Sequence, residues 1–188
     1  MTGFVHLHVR SEFSLKDSIV RIDELVAATT KAGMPSVAIS DLMNLYGLVK
    51  FYKAAQGKGI DLVVRDGEQL FEVTVLVMNE QGYRNLIRVI SDAYIHGQEM
   101  GDAIVALELL RKHADGLIVL LGRRSDIGQT LLGSDEQTAP DHLAKWMQHF
   151  PQRVYLGLTR TGRDGDEDFL HAAMALGEQL QCPVVATN

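Results

Sequence analysis

The sequence predicts an α/β fold built around a mainly parallel sheet, open or closed into a barrel. Three observations lead there. Short apolar, β-branched runs alternate with stretches of helical periodicity along the whole chain, the pattern of repeated strand–helix units. The run 116–122 is continuously apolar between its glycines, as a strand buried on both faces must be. No linker, low-complexity stretch or internal repeat divides the 188 residues, a length suited to one domain, 1–188, with its own core.

Taken in order, 4–8 alternates as a strand does. A helix is expected over 21–33, with Ile22, Leu25, Val26 and Ala32 near helical spacing and Gly33 as C-cap. Residues 35–40 read as a short buried strand, and 44–55 as a helix stopped by Gly57 and Gly59. Residues 71–77 are rich in β-branched side chains, hence a strand. The helix expected over 82–96 turns Leu86, Ile87, Val89, Ile90 and Tyr94 inward, and 105–113 forms another. After the 116–122 strand come a helix over 141–150 with the only tryptophan, Trp146, a strand over 153–158, a helix over 166–181 and a strand over 183–187. In barrels the working residues sit at the C-terminal ends of strands. Attention therefore goes to 8–11, 40–44, 122–125 and 159–162.

Composition narrows the function. The formal net charge is −6, so the overall field does not grip a phosphate backbone. Lys31, Lys50, Lys53 and Lys58 are scattered over amphipathic segments as solvated charges. If the protein serves DNA, other domains of a larger chain hold the DNA. The single cysteine, Cys182, rules out an internal disulfide and suits a reducing compartment. No apolar run reaches the ~18 residues of a membrane span, and the opening residues lack a signal-peptide pattern. A cytoplasmic protein without membrane partners is expected. The acidic stretch 162–168 reads as a solvated turn leading into a helix N-terminus, where acids oppose the positive end of the dipole.

His6 and His8 flank Leu7, so both imidazoles of one strand share a face and can hold a divalent metal. The stretch His6-Leu7-His8-Val9-Arg10-Ser11-Glu12-Phe13-Ser14-Leu15-Lys16-Asp17-Ser18 resembles the opening motif of the PHP (polymerase and histidinol phosphatase) family, in the form that begins bacterial replicative DNA polymerases. The similarity continues through 33–41, 44–55, Gly82-Tyr83-Arg84-Asn85-Leu86, 116–122 and 184–188 in one order. It implies a distorted PHP-type (β/α) barrel of mainly parallel strands, incomplete at its C-terminal end.

Active members of that family bind a cluster of divalent metals at the barrel mouth and hydrolyse phosphoesters. In some polymerases the site is a proofreading nuclease. Carried over residue by residue, the ligand set is eroded here. His6, His8 and Asp41 remain as vestigial positions, with Glu72 a further candidate. The other positions carry Arg10, Leu42, Arg123, Gly157 and Thr161. Leucine offers no lone pair, and two guanidinium groups bring positive charge to where cations would sit.

The expectation is a domain with no catalytic residue, metal or cofactor of its own. In it Arg10 and Arg123 pair with Asp41 or Glu72. The resemblance implies as partners the remaining domains of a polymerase chain and a separate proofreading exonuclease subunit. The alternative is a residual metal-dependent phosphoesterase or 3′–5′ exonuclease. One departure stands out: the strand that the family places after Gly59-Ile60 is missing. Leu62-Val63-Val64 replaces it unless residues are absent, and Asp61 is the only candidate for that strand's acidic ligand.

Overall fold

The computed structural model describes residues 5–47, 50–51, 59–133 and 135–187. Its strands are β1 (Ser40–Leu42), β2 (Gly59–Asp66), β3 (Gln69–Val77), β4 (Gln98–Glu99), β5 (Asp102–Ala103), β6 (Val105–Ala106), β7 (Leu117–Leu121), β8 (Val154–Thr159) and β9 (Val184–Thr187). Its helices are α1 (Ile22–Lys31), α2 (Glu80–His96), α3 (Leu107–Lys112), α4 (Asp126–Leu132), α5 (Ala139–His149) and α6 (Asp166–Leu180).

The main sheet has the order β1-β2-β3-β7-β8-β9, with β6 added beside β2. It curls as part of a barrel. The pairs β1–β2, β2–β6, β7–β8 and β8–β9 are parallel, and β3 runs against both its neighbours. The reversed β3 follows from the tight turn at Gly67-Glu68, which returns β2 directly into a hairpin with no helix between them. Leu62-Val63-Val64 lies within β2, so the shortened segment after Ile60 supplies a sheet strand.

Most expected elements are present with shifted ends. The strand expected over 4–8 is reduced to a single parallel bridge, His6 to Val37. Backbone bonds from Ala38 N to His6 O (2.8 Å) and from Ser40 N to Val9 O (2.9 Å) still hold that segment beside β1. Of the helix expected over 44–55, residues 44–47 are irregular and turn, Lys50 and Phe51 are helical, and the rest lies outside the described residues. The helix expected from residue 105 begins at Leu107, because Val105 and Ala106 pair with Val64 and Arg65 of β2. Tyr94, expected inward, is partly exposed, and its hydroxyl donates to Met43 O at 3.1 Å.

The core lies between the sheet and α2 to α6, and includes Leu86, Val89, Leu117, Leu121, Ile127, Trp146 and Phe150. Strand β7 is buried on nearly every residue, as its unbroken apolar run requires. Trp146 stands edge-on to Phe71 and tilts against Phe150, with centroids 6.5 and 5.7 Å apart. The Gly82-Tyr83-Arg84-Asn85-Leu86 motif clamps α2 to the turn before β7. A Cβ on Gly82 would stand 1.9 Å from Gly116 O, and Asn85 Nδ2 donates to Asp115 O at 2.9 Å.

Candidate functional site

A cavity of about 1050 Å³ opens where the C-terminal ends of β7, β8 and β9 meet the N-terminal half of β3. Because β3 is reversed, its early residues face this mouth, and alternation places Leu70, Glu72 and Thr74 on one face. The same alternation sends both His8 and Arg10 into the cavity from the opening segment. Arg123 and Arg124 enter from the turn after β7, and Thr161, Arg163 and Asp166 from the loop between β8 and α6.

The centre is Asp61 on β2, 1% exposed. Its Oδ2 accepts from His8 Nε2 at 2.9 Å and from Arg10 Nε at 2.8 Å, and its Oδ1 accepts from Thr74 Oγ1 at 2.5 Å. Burial alone would raise the Asp61 pKa; the His8 imidazole, the Arg10 guanidinium and the Thr74 hydroxyl outweigh it and hold the carboxyl below its ordinary range. Arg10 spans two carboxylates and reaches a third. Its Nη2 donates to Glu72 Oε2 at 2.8 Å, and its Nη1 to Asp17. Burial would lower the Arg10 pKa, but Asp61 and Glu72 more than compensate and raise it. Arg124 Nη1 grips Glu72 from the other side, at 3.1 and 3.2 Å from its two oxygens.

A second cluster lies across the cavity. Asp166, at the start of α6, accepts on Oδ2 from Thr161 Oγ1 and Thr161 N, both at 2.8 Å, and from Arg163 N at 3.2 Å. Its Oδ1 accepts from Arg123 Nη1 at 3.1 Å. The Thr161 hydroxyl and amide, then the Arg163 amide and the Arg123 charge, lower its pKa to about 2 against the effect of burial. The acidic stretch 162–168 is therefore not wholly solvated. Asp166 turns inward because Thr161 and Arg163 offer it backbone donors.

The structure brings together only some of the residues the sequence singled out. His8, Arg10, Glu72, Arg123, Gly157 and Thr161 line the cavity; His6, Asp41 and Leu42 do not. Asp41 is buried under the loop at 11–14. It accepts from Ser11 N (2.7 Å), from Ser11 Oγ (2.9 and 2.8 Å) and from Ser14 Oγ (2.9 Å). With those lone pairs engaged, Asp41 pairs with neither Arg10 nor Arg123; the expected pair of Arg10 with Glu72 is present, Arg10 also takes Asp61, and Arg123 pairs with Asp166 instead. Leu42 packs against the main core. Asp166, Arg124 and Thr74 were not anticipated, and Asp61 only as a candidate. The available signal was an acid opening the apolar run 61–64, which a solvent-facing strand would not need.

Every carboxylate lining the cavity has an arginine partner: Asp17 and Asp61 have Arg10, Glu72 has Arg10 and Arg124, and Asp166 has Arg123. With Arg163, four arginines face four carboxylates, His8 aside. Among the described residues no group of three or more His, Cys, Asp and Glu side chains converges as a metal site. The Arg10 guanidinium lies between Asp61 and Glu72, the two carboxylates that a shared cation would have to bridge.

The model of the PHP domain matches residues 6–161. DNA polymerase III subunit alpha of Pseudomonas aeruginosa is 42% identical over 196 positions, covering 99% of this chain and 17% of the relative. The same subunit of Escherichia coli is 41% identical over 195 positions, with 98% and 17% covered. The chain thus spans about a sixth of the length of these relatives. Among solved structures, an amidohydrolase from Chromobacterium violaceum matches with a TM-score of 0.62 at 11% identity, over 98% of this chain and 86% of that one. A Bifidobacterium adolescentis protein, provisionally described as a metal-dependent phosphoesterase, matches with a TM-score of 0.61 at 13% identity, over 100% and 87%. These two likenesses concern the fold, which is that of a PHP-like barrel. Motif order, sheet and the matched span 6–161 agree: this chain belongs to the PHP domain family.

Proposed function

We propose that the chain is the N-terminal PHP domain of a replicative DNA polymerase, DNA polymerase III subunit alpha, acting in the cytoplasm as a structural and docking module without catalysis or cofactor of its own. Nucleotidyl transfer and the main DNA contacts belong to other domains of that polypeptide. A proofreading exonuclease subunit is the docking partner. The observation that carries the non-catalytic reading is Arg10, whose guanidinium bridges Asp61 and Glu72 at 2.8 Å each. A guanidinium there supplies the cross-link that a divalent ion gives an active relative, and it occupies the space an ion needs. The neutral balance of the cavity adds support, since binding several divalent ions requires unpaired, converging anions.

The test is calorimetric and enzymatic. Zn²⁺ or Mn²⁺ at millimolar concentration leaves the melting temperature of the protein unchanged, because a ligand stabilises only as far as it binds the native state. No p-nitrophenyl phosphate or 3′-end hydrolysis follows metal addition. A metal-dependent rise in melting temperature, or turnover abolished by His8→Ala, favours the metal-dependent phosphoesterase or 3′–5′ exonuclease instead. Docking is tested by co-purification of the full-length polymerase with its exonuclease subunit, and loss of binding on deletion of residues 1–188 is the expected result.

A further inference from the structure

Three large apolar side chains stand almost entirely in solvent: Leu15 (82% exposed), Ile19 (94%) and Met100 (108%). They belong to two loops joined by an ion pair, Lys16 Nζ to Asp102 Oδ1 at 3.3 Å. Two of the three sit on backbone that resists them. Leu15 has φ 56° with ψ −49°, and Met100 has φ 50°. Met100 and Gly101 fill the turn between β4 and β5, both at positive φ. Such a turn favours asparagine, aspartate or glycine at its first position. A branched or long side chain is disfavoured at positive φ, and a leucine or methionine this exposed recovers none of that cost through packing among the described residues.

Neither loop is slack. Ser18 Oγ donates to Arg10 O at 2.6 Å, Glu12 N to Val20 O at 2.8 Å, and Arg10 pairs with Asp17. Arg65 Nη2 holds Glu99 at 2.5 Å beside the turn. Apolar tips fixed in costly conformations by polar anchors are preorganised for something that covers them.

We infer that Leu15, Ile19 and Met100 form a docking face for a segment of the same polypeptide outside residues 1–188, packing there through an apolar surface. This rests on the reading of the chain as one domain of a longer polymerase. Size decides between occupants. Full coverage of three such side chains would remove roughly 200–350 Å² of apolar surface from water. A separate protein needs about 800 Å² on each side for a stable interface. A tethered segment, present at an effective concentration on the order of millimolar, is held by far less. The relatives that match this chain end to end are about six times its length, so such segments exist in them.

The experiment is peroxide footprinting of the full-length polypeptide, with Met100 oxidation followed by mass spectrometry in native buffer and in guanidinium. Thioether oxidation tracks exposure, so Met100 is expected to react at least about fivefold more slowly in the native polypeptide. The double variant Leu15→Ser, Ile19→Ser is expected to return that rate to within about twofold of the denatured value. Native oxidation as fast as denatured overturns the inference. Protection that arises only at high protein concentration, or only when the exonuclease subunit is added, also overturns it, because the occupant is then a second copy or a separate protein. Primer extension by the same polypeptide tests the polymerase reading separately: a chain that extends no primer refutes that reading and leaves Met100 protection to decide this one.

Discussion

Arg10→Ala is the sharpest perturbation of the cavity. The substitution removes the bond from Arg10 Nε to Asp61, the bond from Nη2 to Glu72 and the pair with Asp17. Glu72 keeps Arg124 and is partly exposed, so its loss counts for little. Asp61 dominates: it is 1% exposed and would keep only His8 and Thr74. A hydrogen bond to a buried charge contributes about 1.5–3 kcal/mol, and breaking a buried pair by removing one partner costs roughly 3–5 kcal/mol. With two partners left for Asp61, the low end applies, about 3 kcal/mol, or roughly 6–12 °C in melting temperature for a domain of this size. The assay is thermal unfolding by circular dichroism, with Asp61→Asn and the double variant completing a cycle. Asp61→Asn should relieve most of the Arg10→Ala cost, leaving a coupling of about 2 kcal/mol. A melting temperature within ~1 °C of wild type, together with zero coupling, would falsify the account of Arg10 as the cavity's cross-link.

Acid should act through Asp166 and Asp61, whose folded pKa values lie below their unfolded ones. Their contribution is present in full above the ordinary carboxylate pKa of about 4. It fades as pH falls, for Asp166 toward about 2. Asp166→Asn should therefore destabilise at pH 7 and converge with wild type near pH 2, and a constant difference across that range would refute this. Burial pushes the Cys182 thiol up to about 11, so Ellman's reagent should label it only after unfolding; stoichiometric labelling of the native protein within minutes contradicts the burial. Met43 has φ 52° yet buries its side chain, and its sulfur accepts from Val63 N at 3.1 Å. Met43→Gly gains about 1–2 kcal/mol of strain relief and loses roughly 2–5 kcal/mol of burial and packing, so a net loss of about 1–3 kcal/mol is expected in urea unfolding, and a more stable variant would show the strain to be dominant. Gly82→Ala should lower stability more than either, because its Cβ meets the Gly116 carbonyl at 1.9 Å.

How legible each feature was depended on how local its cause is. Strand β7 could be read from 116–122 because burial on both faces leaves no room for a polar residue. Helix α2 announced itself through periodicity, and the structure adds Asn79 as the N-cap, accepting from Gly82 N at 2.9 Å. Strand β6 was missed because two residues carry no period, and only pairing with Val64 and Arg65 makes them a strand. The site was harder. Spacing could place His8 and Arg10 on one face, but nothing local says that Arg10 chooses Asp61, 51 positions away, over Asp41. Asp41 is withdrawn by Ser11 and Ser14, about 30 positions away in sequence. Ion-pair partners are selected by the three-dimensional approach of strands, which the sequence carries only through the fold as a whole.

The Arg10 bridge also changes what the domain depends on while it is being made. A bound ion stabilises in proportion to its free concentration, so a metal-bridged barrel is only as firm as the supply of that metal in the cell. A guanidinium on the chain is always present at its carboxylates once β2 and β3 have paired, and its charge persists across the pH range of living cells. Starvation for zinc or manganese, or a passing chelator, leaves such a cross-link intact.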